Sequence, residues 1–199
     1  CIGSRWLGRG DSWQEPQPLP RVGLYHPQCS LATLAAWQAQ WRPDAPVVAL
    51  LFYRNHVQSA NTVFVDTFCQ HLFGQGLNPL PIAVASLKEP ACLDQVQAWL
   101  DDTDAALIIN TTGFALSNPE APQARVFRRD IPVLQAICSL DNHAQWQAST
   151  QGLGSRDLAM HVVLPELDGR LIGTAISFKG LAWRSERSQS DVVCYQAHE

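Results

Sequence analysis

The sequence predicts an α/β fold with three layers and a mostly parallel sheet, of the Rossmann-like or flavodoxin-like type. Continuous apolar runs such as Val47–Phe52 indicate strands that are buried on both faces. Between these runs lie segments with apolar residues three and four positions apart, which is typical of amphipathic helices. Strands that alternate with helices are joined by right-handed crossovers, and such connections favour a parallel sheet.

The clearest alternation falls between residues 46 and 150, which we predict to be the α/β core. In the first helix of this core, Phe64, Phe68 and Leu72 form one stripe, and we expect the stripe to pack on the sheet. Gly74 and Gly76 follow at positions that end a helix. The predicted strands are Val47–Phe52, Leu80–Ala85, Ala105–Ile109 and Val133–Cys138, and the predicted helices are Asn61–Phe73, Pro90–Leu100 and Asn142–Ala148.

Residues 1–45 are predicted to form an N-terminal arm and a helix. The beginning of this segment carries Gly, Pro, Gln and Trp without periodicity, as linkers do. A short strand is predicted at Arg21–Tyr25. A helix is predicted at Leu31–Trp41, because Leu34, Trp37 and Trp41 recur there at helical spacing.

Residues 151–199 are predicted to be a C-terminal extension that leads into the rest of a longer subunit. Ser155 can cap a helix that has Asp157 in its first turn and Pro165 at its end. A loop and a strand at Leu171–Phe178 are expected to follow. In the alternative interpretation, a β-hairpin turn begins at Asp168, which precedes a glycine.

Charge, hydropathy and cysteine usage limit the partners and the location. Acidic residues outnumber basic ones by 18 to 14, and a net charge of −4 argues against nucleic-acid binding. The apolar runs are far shorter than the ~20 residues of a transmembrane helix, so we expect no membrane span. None of the six cysteines forms a C-x-x-C pair, which favours reduced thiols and a cytoplasmic location.

The motifs of several common enzyme classes are absent from the sequence. It has no G-x-x-x-x-G-K-[ST] loop, so we expect no ATP site in this chain. It also lacks G-x-G-x-x-G, H-E-x-x-H and G-x-S-x-G. These absences argue against a free-standing NTPase, dehydrogenase, zinc protease or acyl hydrolase.

Polar residues follow the predicted strands, where the carboxyl ends of parallel strands meet at one edge of the sheet. They are Arg54 and His56 after the first strand, Asn110 and Thr111 after the third, and His143 after the fourth. In open α/β sheets this edge forms the crevice that binds ligands. The sequence therefore predicts a ligand site there. The alternative is that these residues only cap helices and turns.

Five blocks of sequence, in order, resemble the large-subunit family of cobaltochelatases, whose relatives are the magnesium-chelatase large subunits. They are Pro46–Arg54 with His56, Leu77–Lys88, Thr111–Ala115, Pro132–Gln135, and Asp157–Arg170 continuing to Ile176–Lys179. The resemblance covers most of residues 46–180. It implies that this chain is an internal piece from the N-terminal half of a longer, tetrapyrrole-binding subunit.

The resemblance implies a role in cobalamin biosynthesis. The complete subunit is expected to insert cobalt, the substrate metal, into the corrinoid hydrogenobyrinic acid a,c-diamide. ATP and Mg²⁺ are expected on separate AAA+ partner subunits, with no cofactor in this chain, and the piece alone is expected to be inactive. The alternatives are a magnesium-chelatase large subunit, which takes Mg²⁺ and protoporphyrin IX, and a scaffold or docking domain without catalysis.

Metal insertion needs a base for the ring N–H protons and ligands that replace the water of the metal. Within the blocks of resemblance, Glu166 and His161 are the candidate catalytic pair. Arg54 and Lys179 are candidates to pair with substrate carboxylates. The remaining candidate substrate-binding residues are His56, Asn110, Thr111 and His143. The alternative for the pair is that Glu166 caps the next segment and His161 packs in the core.

Overall fold

Seven strands form one curled sheet in the computed structural model, which describes residues 18–28, 31–117, 126–185 and 190–197. Each strand predicted from the sequence lies within or overlaps one of them, so the prediction of a mixed α/β fold is confirmed. The strands are β1 (Val22–Leu24), β2 (Val47–Tyr53), β3 (Asn78–Val84), β4 (Leu107–Asn110), β5 (Val133–Asn142), β6 (Leu171–Ser185) and β7 (Ser190–Ala197).

The centre of the sheet is parallel and its two edges are antiparallel. The strand order is β1-β3-β2-β4-β5-β6-β7, and β2 to β6 all run in one direction. The edge strands β1 and β7 run the opposite way against β3 and β6. The chain passes from β2 outward to β3 and then returns across β2 to β4. The carboxyl ends of β2 and β4 therefore flank the point where the winding of the sheet reverses.

The helices occupy the connections between strands. They are α1 (Leu34–Gln38), α2 (Asn55–Gln58), α3 (Val63–Gly74), α4 (Pro90–Asp102), α5 (His143–Ala148), α6 (Ser155–Leu158) and α7 (Leu164–Glu166). A π-helical turn at Ala159–Val163 joins α6 to α7. Pro165 does not end this helix as expected, because it lies in the first turn of α7, where a missing N–H costs little.

Helix α3 packs on the sheet through a face that is rotated from the predicted stripe. Phe64, Val65, Cys69 and Leu72 are buried, whereas Phe68 is only half-buried at the edge of this face. Phe68 still packs against the core from this edge, so the predicted stripe is confirmed at Phe64 and Leu72 and in part at Phe68. Strand β7 also contacts this helix, and the ring centroid of Tyr195 lies 6.1 Å from that of Phe64.

The curl of the sheet comes from its last two strands. The pairing of β5 with β6 shifts register three times, and such irregularities bend and twist a sheet. The hairpin of β6 and β7 then reaches α3, where the amide of Tyr195 donates to Oδ1 of Asn61 at 2.9 Å. The sequence did not predict β7, since its residues show little alternation of apolar and polar side chains.

The segment before residue 46 also packs on the sheet. β1 pairs with β3, and Trp37 in α1 is 1% exposed, with Nε1 donating to the carbonyl of Tyr25 at 2.8 Å. The described part of this segment thus contributes to the core. The division into residues 1–45, 46–150 and 151–199 stays a prediction, and the first 17 residues lie outside the described ranges.

Among the described helices, none combines the length and the apolar character that crossing a membrane requires.

We expect Phe64→Ala to destabilise the chain by about 3–5 kcal/mol, the usual cost of removing a buried phenylalanine ring. Phe64 is 1% exposed, and its ring centroid lies 6.3 Å from that of Phe52 and 6.1 Å from that of Tyr195. Phe68→Ala is the matched control and should cost clearly less. Urea denaturation of both variants measures the difference, and equal losses would contradict the packing of α3.

We expect stability to fall between pH 6.5 and about 4 because of His56. Burial among Phe52, Phe64 and Tyr195 lowers the pKa of His56 from 6.5 to about 4. Below pH 6.5 His56 is protonated in the unfolded chain, whereas in the folded chain it stays neutral until about pH 4. The contribution of neutral His56 is complete above pH 6.5 and is lost as the pH falls through this interval.

The expected loss is about 3 kcal/mol, because each unit of pKa difference corresponds to roughly 1.4 kcal/mol. His56→Phe keeps an aromatic ring in the cluster and removes the titrating group. Urea denaturation across the interval should show a shallower fall for this variant than for the parental chain. If the two chains have the same pH dependence of stability, burial does not lower the pKa of His56 in the folded state.

Candidate functional site

A crevice of about 640 Å³ opens at the carboxyl ends of β2, β3 and β4. Tyr53 ends β2 and Arg54 follows it, the segment from Ala85 to Lys88 follows β3, and the segment from Thr112 to Phe114 follows β4. This is the edge of the sheet that the sequence predicted as a ligand site, at the point where the winding reverses. Of the predicted site residues, Arg54 lines the crevice directly.

The crevice carries an excess of positive charge. Its described lining includes Arg21, Arg54 and Lys88 and no carboxylate. Arg21 is paired with Glu89 just outside the lining, and this hydrogen-bonded pair holds the pKa of the Glu89 carboxyl below its usual range. Arg54 instead donates from Nη1 to the carbonyls of Leu19 at 2.9 Å and Pro20 at 3.2 Å. Arg54 and Lys88 therefore contribute charge to the crevice.

The wall of the crevice after β4 presents an exposed aromatic ring. Phe114 is 45% exposed and has φ of 68°, in the left-handed region that side chains other than glycine seldom adopt. Its amide donates to the carbonyl of Met160 at 3.3 Å. The Nζ atom of Lys88 lies 5.8 Å from the ring centroid, within the range of a cation–π contact.

A buried ion pair fixes this wall from behind. Asp168 and Arg170 have side chains that are 1% and 2% exposed, and Arg170 Nη2 donates to Asp168 Oδ2 at 2.5 Å. Asp168 Oδ1 accepts from the amides of Leu116 at 3.0 Å and Ser117 at 2.7 Å. Arg170 Nη2 also donates to the carbonyl of Phe114 at 3.1 Å. The ion pair thus fixes the loop after β4 at Phe114 through Arg170 and at Leu116 and Ser117 through Asp168.

The same ion pair continues into a network of buried amides. Arg170 Nη1 donates to Gln135 Oε1 at 2.8 Å, and Asn110 Nδ2 donates to the same oxygen at 2.8 Å. Asn110 Oδ1 accepts from Thr112 Oγ1 at 2.9 Å. Burial lowers the pKa of Arg170, and the charge of Asp168 opposes this effect. Asn110, which was predicted to bind substrate, lies in this network and supports the loop.

Sequence reasoning assigned no role to Arg170, Gln135, Lys88 or Phe114. Asp168 was explained by turn chemistry alone, and Gly169 does have the positive φ of such a turn. The turn also aims the side chain of Asp168 at amides more than 50 residues earlier in the sequence. A carboxylate two residues from an arginine within the block of resemblance was the signal available for this contact.

His161 lies behind the crevice in the π-helical turn. It is 7% exposed, and its Nδ1 has no hydrogen-bond partner among the described residues. A Cβ atom on Gly113 would lie 3.7 Å from His161 Cε1 and 3.3 Å from Met160 Cε, so the β4 loop passes close to this turn. Burial lowers the pKa of His161, and the nearby Asp157 carboxylate opposes this shift. π-Helical turns of this kind are frequent at functional sites.

Glu166 is exposed at the end of α7, whereas His161 is buried. Within the described parts of the chain, no hydrogen bond joins the two side chains. The structure therefore places the predicted pair on one helical segment without a hydrogen bond between the two side chains.

The remaining predicted residues lie at other places. Thr111 Oγ1 donates to the carbonyl of Leu51 at 3.0 Å, and His56 belongs to the aromatic cluster described above. His143 packs against Phe178, with ring centroids 5.1 Å apart. Lys179 Nζ lies 5.9 Å from the ring centroid of Tyr195. Across the described ranges, no group of three or more His, Cys, Asp or Glu side chains is arranged to hold a metal ion.

Comparisons with known proteins agree with one another. The profile of the family described as CobN/Magnesium Chelatase matches residues 1–199. The aerobic cobaltochelatase subunit CobN of Pseudomonas aeruginosa is 67% identical over 199 residues, which cover all of this chain and 16% of that protein. A magnesium-chelatase subunit of Rhodobacter capsulatus is 26% identical over 170 residues, covering 81% of this chain and 14% of that protein.

A solved structure, the catalytic subunit of cobaltochelatase from Mycobacterium tuberculosis, superimposes with a TM-score of 0.72 at 25% identity. The match covers 99% of this chain and 16% of that one. The chain thus spans about a sixth of the length of the relatives that it matches most fully. By a family match over its whole length, the chain belongs to the CobN/magnesium-chelatase family.

Proposed function

We propose that this chain is a segment of a cobaltochelatase large subunit, and that the complete subunit inserts Co²⁺ into hydrogenobyrinic acid a,c-diamide in cobalamin biosynthesis. The observation that carries the proposal is the 67% identity to a cobaltochelatase subunit over all 199 residues. The magnesium-chelatase alternative is less favoured, because the identity to that relative is 26%.

The proposal includes the partners and the location of the complete enzyme. ATP and Mg²⁺ are bound by AAA+ partner subunits, as the resemblance to the cobaltochelatase large-subunit family implies. A cytoplasmic location is supported by the thiols: Cys69, Cys92, Cys138 and Cys194 are free within the described residues.

The proposal also includes the finer fold. The core is a three-layer, doubly wound domain of the flavodoxin-like type, with helices on both faces of the sheet. Numbered along the chain, the five parallel strands have the order 2-1-3-4-5, which is the order of that fold. The crevice at the reversal point, between the ends of β2 and β4, supports the same assignment.

Glu166 and His161 are the proposed catalytic groups. A solvent-exposed carboxylate at the end of α7 has access to a ring N–H proton or to hydrated cobalt. His161 lies behind the loop after β4, where burial lowers its pKa, and its Nδ1, which has no hydrogen-bond partner among the described residues, supports a role in proton transfer. The proposed substrate-binding residues remain Arg54, His56, Asn110, Thr111, His143 and Lys179, of which Arg54 has the strongest support since it lines the crevice.

The activity is tested with the full-length subunit and its partner subunits. With ATP, Co²⁺ and hydrogenobyrinic acid a,c-diamide, we expect the absorbance change that follows metal insertion. With Mg²⁺ and protoporphyrin IX, we expect none. Insertion in the second mixture and not in the first would establish the magnesium-chelatase alternative. If no metal is inserted in either mixture, the result favours the alternative of a scaffold or docking domain without catalysis.

Glu166→Gln in that assembly should lower the rate of cobalt insertion about 100-fold, the order of a general base. Its stability should hardly change, because Glu166 is exposed and the substitution keeps its shape. Asp101→Asn, at an exposed carboxylate on α4, is the matched control and should keep the parental rate. A Glu166→Gln variant as fast as the control would show that the pair is structural.

A further inference from the structure

The crevice is lined by positive charge, although the chain as a whole is acidic. The chain as a whole carries a net charge of −4, whereas the described lining of the crevice contains three cations and no carboxylate. Glu89 neutralises Arg21. Two positive charges, on Arg54 and Lys88, therefore face a cavity that no described acidic side chain lines.

These two cations are available to a ligand. Within the described residues, Arg54 is engaged through Nη1 alone, with two neutral carbonyl oxygens. Those bonds orient the guanidinium without an ion pair, although its charge also acts on the Glu89 carboxylate that pairs with Arg21. Lys88 contacts the face of Phe114 and forms no ion pair with a described residue. An oriented arginine and an unpaired lysine at the mouth of a crevice are a suitable pair for a carboxylate or a phosphate.

Phe114 adds a flat apolar surface beside the charges. Its backbone conformation is strained, with φ of 68°, yet it is fixed by Arg170 on its carbonyl and by Met160 on its amide. An aromatic ring that is 45% exposed and held rigidly loses little entropy when it stacks on a ligand. The crevice thus offers anion recognition next to a stacking surface.

We propose that this crevice binds one edge of an anionic macrocycle, with its carboxylate side arms on Arg54 and Lys88 and an edge of its conjugated ring system against Phe114. The identification of that ligand as the corrinoid substrate rests on the function proposed above. Among the residues that recognise it, Lys88 and Phe114 are additional to those predicted from the sequence, whereas Arg54 was predicted. A cavity of 640 Å³ that is open to solvent accommodates side arms and a ring edge, while the rest of the ring stays outside.

The test measures binding to the full-length subunit without partner subunits or ATP. Hydrogenobyrinic acid a,c-diamide is titrated and followed by its absorbance. Lys88→Gln should weaken binding about tenfold, the order of one charge-assisted hydrogen bond. Lys88→Arg should restore most of the affinity. Arg128→Gln is the matched control and should bind as the parental subunit does, since Arg128 pairs with Asp94 at the surface, outside the crevice lining.

Two further ligands identify the anion. A corrinoid whose carboxylates are all amidated should bind with the same affinity to the parental subunit and to Lys88→Gln, since it has no charge for Lys88 to recognise. ADP presents phosphates beside a flat base. If Lys88→Gln weakens ADP and leaves the corrinoid unaffected, the crevice is a phosphate site and the inference is overturned.

The outcomes separate this inference from the proposed function. If the parental subunit binds the corrinoid and both Lys88→Gln and Arg54→Gln bind it equally well, the crevice is not the site, while the proposed function stands. If the parental subunit binds no corrinoid, the proposed function itself fails. Thermal denaturation of each variant identifies any loss of affinity that comes from unfolding.

Discussion

The ion pair of Asp168 and Arg170 determines the shape of the candidate site. Two charges that are 1% and 2% exposed are costly unless their polar atoms find partners. Here the carboxylate accepts the amides of Leu116 and Ser117, and the guanidinium donates to the carbonyl of Phe114 and to Gln135. Moving the loop after β4 would remove the amide donors of the carboxylate and one carbonyl acceptor of the guanidinium, and each buried polar group that loses its hydrogen bond costs about 1–3 kcal/mol. The loop is therefore held in one conformation.

The rigid loop accounts for the unusual backbone of Phe114, because a left-handed residue with a side chain costs about 1–3 kcal/mol and persists only where its surroundings fix it. A second buried carboxylate, that of Asp157, holds the carboxyl end of the neighbouring strand β5 in a similar way. Asp157 accepts from Ser139 Oγ at 2.5 Å and from the amide of Leu140 at 3.0 Å. One helical segment and the turn after it thus hold the carboxyl ends of β4 and β5, and His161 lies between these two anchors in sequence.

The sequence predicted what depends on local periodicity and missed what depends on distant pairing. Val47–Phe52 and its counterparts were found because apolar runs bounded by turns are local patterns. The contact between β7 and α3 was missed, since nothing in the sequence near α3 indicates that β7 packs on that helix. The hydrogen bonds of the Asp168 carboxylate were missed for the same reason. The amides that it accepts from are more than 50 residues away in the sequence, and a turn alone explained the residue. The edge of the sheet that carries the crevice was predictable, because parallel strands bring their carboxyl ends together.

The positive crevice and the buried ion pair have separate energetic roles, although they share one loop. Lys88 belongs to the connection after β3, so its charge acts on a ligand without supporting the β4 loop. Asp168 touches the loop and is absent from the crevice lining, so it acts on a ligand only through the position of Phe114. A change at Lys88 should therefore alter affinity at constant stability, whereas a change at Asp168 should alter both together. That difference follows from the topology, in which each strand end supplies one group to the crevice and the segment leading into β6 holds the β4 loop in place.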